Sequence, residues 1–202
     1  MRKLMSRCSV HQASYIDADV VGGVFRILFK QDSFGSNQSY LYDEFVNAID
    51  TAPHEHTPFS LKARHSIATD YNKEIDAVQA EIGSILKIPD ITLEPNFEKN
   101  YVALSQKKED WKGNFGRASL EYFRDGFKYQ LERQGFKDDE MLQEGFAEGV
   151  PSKKIVIRVV EKTKNGSYND TIVEEGVVYL QTTPDNWWCN VSDIGSGLLD
   201  LL

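Results

Sequence analysis

The sequence predicts an α+β fold, a helical layer packed on a small antiparallel sheet that contains a C-terminal β-hairpin. Three observations carry this. Ala68, Tyr71, Ile75, Val78, Ile82 and Ile85 recur at spacings of three and four, which places one apolar side chain per turn on a single stripe of a long helix. A second stretch, from about Asp110 to Gln134, holds Trp111, Phe115, Leu120, Tyr122, Phe123, Phe127, Tyr129 and Leu131, apolar on more than one side and so expected to be central. The final third switches to period two, with Ile155, Ile157 and Val159 alternating with Val156, Arg158 and Val160. Helical middle and stranded end segregate along the chain, as in α+β proteins.

Residues 1–18 read as an N-terminal arm and residues 19–202 as one α+β domain. Within it, Val20 to Phe29 is apolar and β-branched enough for a strand, interrupted by Gly22 and Gly23. Leu41, Phe45 and Ile49 fall on one helical face, stopped before Pro53. The heptad-patterned helix runs from Leu61 to Leu86, capped by Thr57 or Ser60, and Pro89 closes it. Asp90 to Glu94 is extended. Pro95-Asn96 opens a short helix with Phe97, Tyr101 and Leu104 inward. Gly135-Phe136 and Gly149-Val150 both fit a left-handed glycine cap with an apolar residue folding back. Met141, Leu142 and Phe146 make a short helix between them. Asn165-Gly166 is the hairpin turn signal, the return strand is Ile172 to Leu180, and Gly176 marks a bulge in it.

A chain of 202 residues should bury roughly 70% of its extended-state surface without a metal or disulfide staple. Its hydrophobic content of 41% suits a globular protein. A net charge of −8 opposes nonspecific binding to nucleic acid or anionic membrane, since both require a basic face. Lys107, Lys108 and Lys112 form the nearest approach to a basic patch and read as a solvated surface. No stretch has the roughly 20 apolar residues of a membrane span. Cys8 and Cys189 stand near opposite ends, and the basic start Met1 to Arg7 leads into polar sequence, so thiols in a cytoplasmic protein are expected.

Chemistry-bearing residues are few. His54, His56 and His65 form the one histidine cluster and could supply a three-nitrogen metal site if the connecting loop curls. Tyr122, Tyr129, Arg124, Trp187 and Trp188 are the candidates for a ligand pocket between the aromatic helix and the C-terminal sheet. Adjacent tryptophans on an extended segment face opposite ways, so one of the pair can stay exposed. Asp138, Asp139 and Glu140 fit a helix N-terminus better than an acid–base pair.

Asp193-Ile194-Gly195-Ser196-Gly197 resembles the glycine-rich first motif of Rossmann-like methyltransferases. That resemblance implies a strand before the loop and a helix after it, whereas five residues follow Gly197. Leu198-Leu199-Asp200-Leu201-Leu202 resembles the clathrin-box peptides of endocytic adaptors; the simpler reading packs this tail on the domain or on a neighbouring subunit. The expectation is therefore a protein acting through binding or assembly. It would use Trp187, Trp188, Leu198, Leu199, Leu201 and Leu202 toward a protein partner or a second copy, with no cofactor and no nucleic acid. The alternative is a small-molecule-binding or metal-dependent enzyme.

Overall fold

The computed structural model describes residues 16–21, 24–29, 32, 42, 45, 48–49, 58–105, 111–164 and 166–202. The chain forms two compact units, Met1–Leu61 and Lys62–Leu202. In the first, β1 (Ile16–Val21) and β2 (Val24–Phe29) pair antiparallel with Val21 opposite Val24, so only Gly22 and Gly23 separate them. The single strand expected over Val20 to Phe29 is thus the end of one strand and the whole of the next. A two-glycine link between β-branched runs suits a tight reversal better than a strand interior. Asp19 stands opposite Arg26, whose Nε donates to Asp19 Oδ1 at 2.6 Å; this hydrogen bond raises the Arg26 pKa further. Phe45, on a helical turn, meets the Phe25 ring edge-on at 5.0 Å. Leu41 lies outside the described residues.

The long helix is present from Leu61 to Leu86, as α1 (Leu61–Ser66), a π turn (Ile67–Tyr71) and α2 (Asn72–Leu86). Tyr71, Val78, Ile82 and Ile85 are buried as expected, but Ala68 is exposed. The wider π turn rotates the face that precedes it, so Ala63 and Ser66 point inward instead. Lys87 ends α2 in the left-handed region at φ 54°, and the Ile88 amide donates back to Gly83 O at 2.9 Å. β3 (Thr92–Glu94) and α3 (Phe97–Leu104) follow, with Tyr101 and Leu104 buried.

The aromatic segment is helical from Lys112 to Arg133, through a 3₁₀ turn (Lys112–Asn114), α4 (Phe115–Glu121), a second π segment (Tyr122–Lys128) and α5 (Tyr129–Arg133). It crosses the first long helix at Ser66 and Gly116. Ser66 Oγ accepts from the Gly116 amide at 3.0 Å and the Arg117 amide at 3.3 Å, and donates to Asp70 Oδ2 at 2.8 Å. A serine of one helix thereby caps the N-terminus of another. A β-carbon at Gly116 would lie 2.4 Å from Ser66 O, so this crossing admits no side chain. Beside it Phe115 is the hub of a ring cluster, within 5.8 Å of Phe97, Tyr101, Trp111 and Trp187.

Gly135 takes φ 83° and the buried Phe136 folds back with its amide on Leu131 O at 3.1 Å. In α6 (Glu140–Gly149), Asp139 caps the Met141 and Leu142 amides at 2.9 and 3.2 Å. The second expected glycine cap is absent. Gly149 is the last helical residue without a left-handed φ, and Val150 leaves the helix at φ −124° ahead of Pro151.

The C-terminal sheet has the order β3-β4-β6-β5, with β4 (Lys154–Val159), β5 (Asn169–Glu174) and β6 (Val177–Thr182). β3, β4 and β6 run parallel and β5 antiparallel to β6, so the sheet is mixed and not antiparallel throughout. Its β-hairpin is β5–β6, turning at Glu175 and Gly176 with φ 51° and 72°. Of the turn expected at Asn165-Gly166, Asn165 lies outside the described residues. Two successive positive φ values form the type I′ turn that suits strand twist, and the shift of apolar alternation at Gly176 is that turn, not a bulge.

Ile155, Ile157, Val178 and Leu180 form the fully buried sheet face. β3 ends level with Val156; beyond it the Asn100 side chain serves as the neighbouring strand. Its Nδ2 donates to Ile157 O at 3.0 Å and Pro95 O at 2.8 Å, while Oδ1 accepts from the Val159 amide at 2.8 Å.

Two substitutions test these contacts by urea unfolding. Gly116→Ala should cost about 3 kcal/mol or more, because backbone must move at the helix crossing. Asn100→Ala should cost about 2–4 kcal/mol by stranding the Ile157 carbonyl and Val159 amide.

Candidate functional site

The second unit brings its aromatic helix, its sheet and its C-terminal segment together around Tyr122. Tyr122 is fully buried, and its hydroxyl accepts from the Trp188 amide at 2.9 Å and faces Asn169 Oδ1 at 3.5 Å. Asn169 Nδ2 donates to Cys189 O and Asn190 O at 2.7 and 2.9 Å. Trp188 and Asn190 hold φ of 68° and 48°, a left-handed conformation costly for tryptophan and tolerated by asparagine; Tyr122 and Asn169 fix the turn that contains them. Burial pushes the Tyr122 phenol up to about 12.

The two tryptophans differ in burial, on a turn and not on an extended segment. Trp187 is buried against Phe115 and Tyr122, at 5.8 and 5.2 Å between ring centroids. Trp188 is half-buried, donates its Nε1 to the Glu121 carboxylate and lies 5.8 Å from the Arg117 guanidinium, itself paired with Glu121. Among the other candidates, Arg124 is held by Glu74 at 2.8 Å and Asp125 at 2.9 Å, which raise its pKa, Asp125 foremost. Tyr129 is exposed. So Tyr122, Trp187 and Trp188 are neighbours, whereas the partners of Arg124 are surface carboxylates.

His54 and His56 lie outside the described residues, as do Cys8, Lys107 and Lys108. His65 is exposed on α1. Among the described residues no three His, Cys, Asp or Glu side chains are grouped to hold a metal ion.

The C-terminal segment is anchored on the second π segment and α5. Ile194 and Leu198 are fully buried. Gln130 Nε2 donates to Ser192 O, Gln134 Nε2 donates to Gly195 O at 2.9 Å, and the Gly195 amide donates to Thr171 Oγ1 at 2.8 Å. The stretch resembling a methyltransferase loop is therefore a docked irregular turn. It follows a 3₁₀ turn at Val191–Asp193, not a strand. Leu199, Leu201 and Leu202 remain 45%, 39% and 39% exposed.

Between this tail and β5 runs a cleft of about 510 Å³. Ser167 to Thr171 form one wall; Asp193, Gly195, Ser196, Gly197, Asp200 and Leu201 form the other. Three carboxylates line it and no lysine or arginine does, so it suits a ligand that brings hydrogen-bond donors and positive charge. Two smaller clefts lie elsewhere. One of about 370 Å³ is on the outer sheet face, where the Arg158 guanidinium sits 3.9 Å over the Tyr179 ring. One of about 270 Å³ separates the end of α2 from α6. None of the three is lined by Tyr122, Tyr129, Arg124, Trp187 or Trp188.

No protein-family model, curated protein or solved structure matches the chain.

Sequence reasoning missed the cleft because its walls are 26 residues or so apart in sequence and carry ordinary loop composition. The sole local signal was Asp193 to Gly197, a glycine-rich stretch with an acid.

Tyr122 makes stability depend on alkaline pH. The unfolded phenol loses its proton near 10 and the folded one near 12, so stability is complete below pH 10 and falls as pH rises toward 12. Tyr71, raised mainly by burial, acts in the same direction. In thermal melts from pH 9 to pH 12, Tyr122→Phe should shallow this decline while lowering stability at pH 8 by about 1–2 kcal/mol through loss of the Trp188 contact.

Proposed function

We propose that this protein works by binding another polypeptide, and that its C-terminal segment is the contact surface. The observation that carries the reading is the split character of that segment. Ile194 and Leu198 fasten it to the fold, while Leu199, Leu201 and Leu202 leave apolar side chains in solvent. Exposed leucines on an anchored backbone cost little entropy to dock, since the chain beneath them is already ordered. Apolar side chains rimmed by Asp193 and Asp200 are the composition of a recognition patch.

The other conspicuous residues have structural work. Tyr122 and Trp187 fill the core, Arg124 and Trp188 are tied to carboxylates. Binding by the tail leaves these contacts intact.

The triple substitution of Leu199, Leu201 and Leu202 by Ser tests the proposal, because each side chain already meets water. Quantitative affinity capture of both forms from cells should show a stoichiometric polypeptide partner with the wild type and its loss with the variant, at unchanged melting temperature. Identical partner sets would remove the tail from consideration.

A further inference from the structure

β5 is the last strand of its sheet, yet its edge is not open: Asp170 and Thr171 keep only 9% and 8% of their surface in solvent. Covering an edge strand with a loop keeps it from pairing with another chain. Here the C-terminal segment from Val191 to Leu202 lies on that edge, and it is fastened unlike the rest of the unit.

The segment is built as one piece. Its turns close on themselves, the amides of Ile194, Ser196, Leu198 and Leu201 donating to Val191 O, Asp193 O, Gly195 O and Leu198 O, each at 3.1 Å. Among the described residues, three hydrogen bonds hold it to the body: Gln130 Nε2 to Ser192 O, Gln134 Nε2 to Gly195 O, and the Gly195 amide to Thr171 Oγ1. Just upstream the chain is clamped, because Asn169 Nδ2 holds Cys189 O and Asn190 O. A fixed point is thus followed by a self-contained stretch.

Its seat is tight at one place and loose at others. A β-carbon on Gly126, in the second π segment, would lie 2.4 Å from Ile194 Cγ2 and 2.7 Å from Val191 O. Against β5, by contrast, the cleft of about 510 Å³ separates strand from segment. Gln134 Oε1 is buried with no donor among the described residues, a group that lifting the segment returns to water.

We infer that Val191 to Leu202 is a strap that lifts off the second π segment and β5 as a unit, hinged after Asn190, and so governs when the β5 edge is accessible. Opening gives up the burial of Ile194 and Leu198 and the three hydrogen bonds. It leaves the pairing of β4 with β6 and the contact of Trp187 with Phe115 in place. Closed, the strap still presents Leu199, Leu201 and Leu202 as a fixed patch; its opening is a property of the chain alone.

Native-state hydrogen exchange on the full chain, in urea below the unfolding transition, tests this. The Gly195 amide is the reporter, because its acceptor Thr171 Oγ1 stands on β5 and is lost when the strap lifts. Its protection should be at least about tenfold below that of the central strands β4 and β6, with a shallower dependence on urea, since lifting the strap exposes less surface than unfolding. Gly126→Ala suits a helical backbone and blocks only the seat. It should lower Gly195 protection by a further tenfold or so and leave the central strands within about threefold of wild type. One protection level and one urea slope shared by Gly195 and the central strands would overturn the inference. So would a Gly126→Ala chain that loses protection equally in both places, leaves Gly195 unchanged, or fails to fold, since the strap would then be either seated elsewhere or inseparable from the core.

Discussion

The architecture of the second unit depends on one close approach, where Ser66 of the first long helix meets Gly116 of the second. Helix N-termini leave amides unsatisfied, and a buried one needs an acceptor from somewhere. Here the acceptor is a serine from the crossing helix, which reaches the Gly116 and Arg117 amides only because residue 116 has no side chain. That contact fixes the crossing at backbone distance and so brings Phe115 against Phe97, Tyr101 and Trp111. It also explains the π turn that begins one residue after Ser66. Once the crossing fixes which residue faces inward there, the apolar stripe that starts at Tyr71 stays in register only with an extra residue between.

Much of the secondary structure was legible in the sequence, and the reasons for each miss are physical. The stripes at Tyr71 to Ile85 and Phe115 to Leu131 report burial of one face, which holds whatever partner buries it. The cap at Gly135 is local chemistry and reads directly. By contrast, a turn signal says where a chain can reverse and not which strand it will pair with. Asn165-Gly166 and Glu175-Gly176 both carry turn-forming residues, and the choice between them is made by β4, which pairs with β6 across the sheet. The π turns were invisible because they answer to a contact with the other helix. Asn100 was invisible too: an asparagine inside a short helix says nothing of a strand edge remote in sequence.

The candidate site was less legible than the fold. The tryptophan pair differs in burial, but Trp188 sits in a left-handed turn and not on an extended segment, and the turn is held by Tyr122, which accepts the Trp188 amide. The tail's leucines were conspicuous in the sequence, but the division into a buried anchor at Leu198 and exposed neighbours depends on the docking of Gln130 and Gln134 against Ser192 and Gly195. Two glutamine side chains with no sequence pattern decide which leucines reach solvent. The two sheet edges make a similar point, as β4 is finished by the Asn100 side-chain amide and β5 receives the Gly195 amide of the tail on Thr171 Oγ1.

Trp187 supplies the last member of a ring cluster whose centre, Phe115, is made much earlier. A ribosome adds about 5–20 residues per second, so a nascent chain holds Phe97, Tyr101, Trp111 and Phe115 for several seconds before their partner emerges. Through that interval the helices can form but their shared face has nothing to close it. The ordering of the chain thus makes maturation of this unit a late event in synthesis, and leaves a sticky intermediate for the cell's chaperones to shelter.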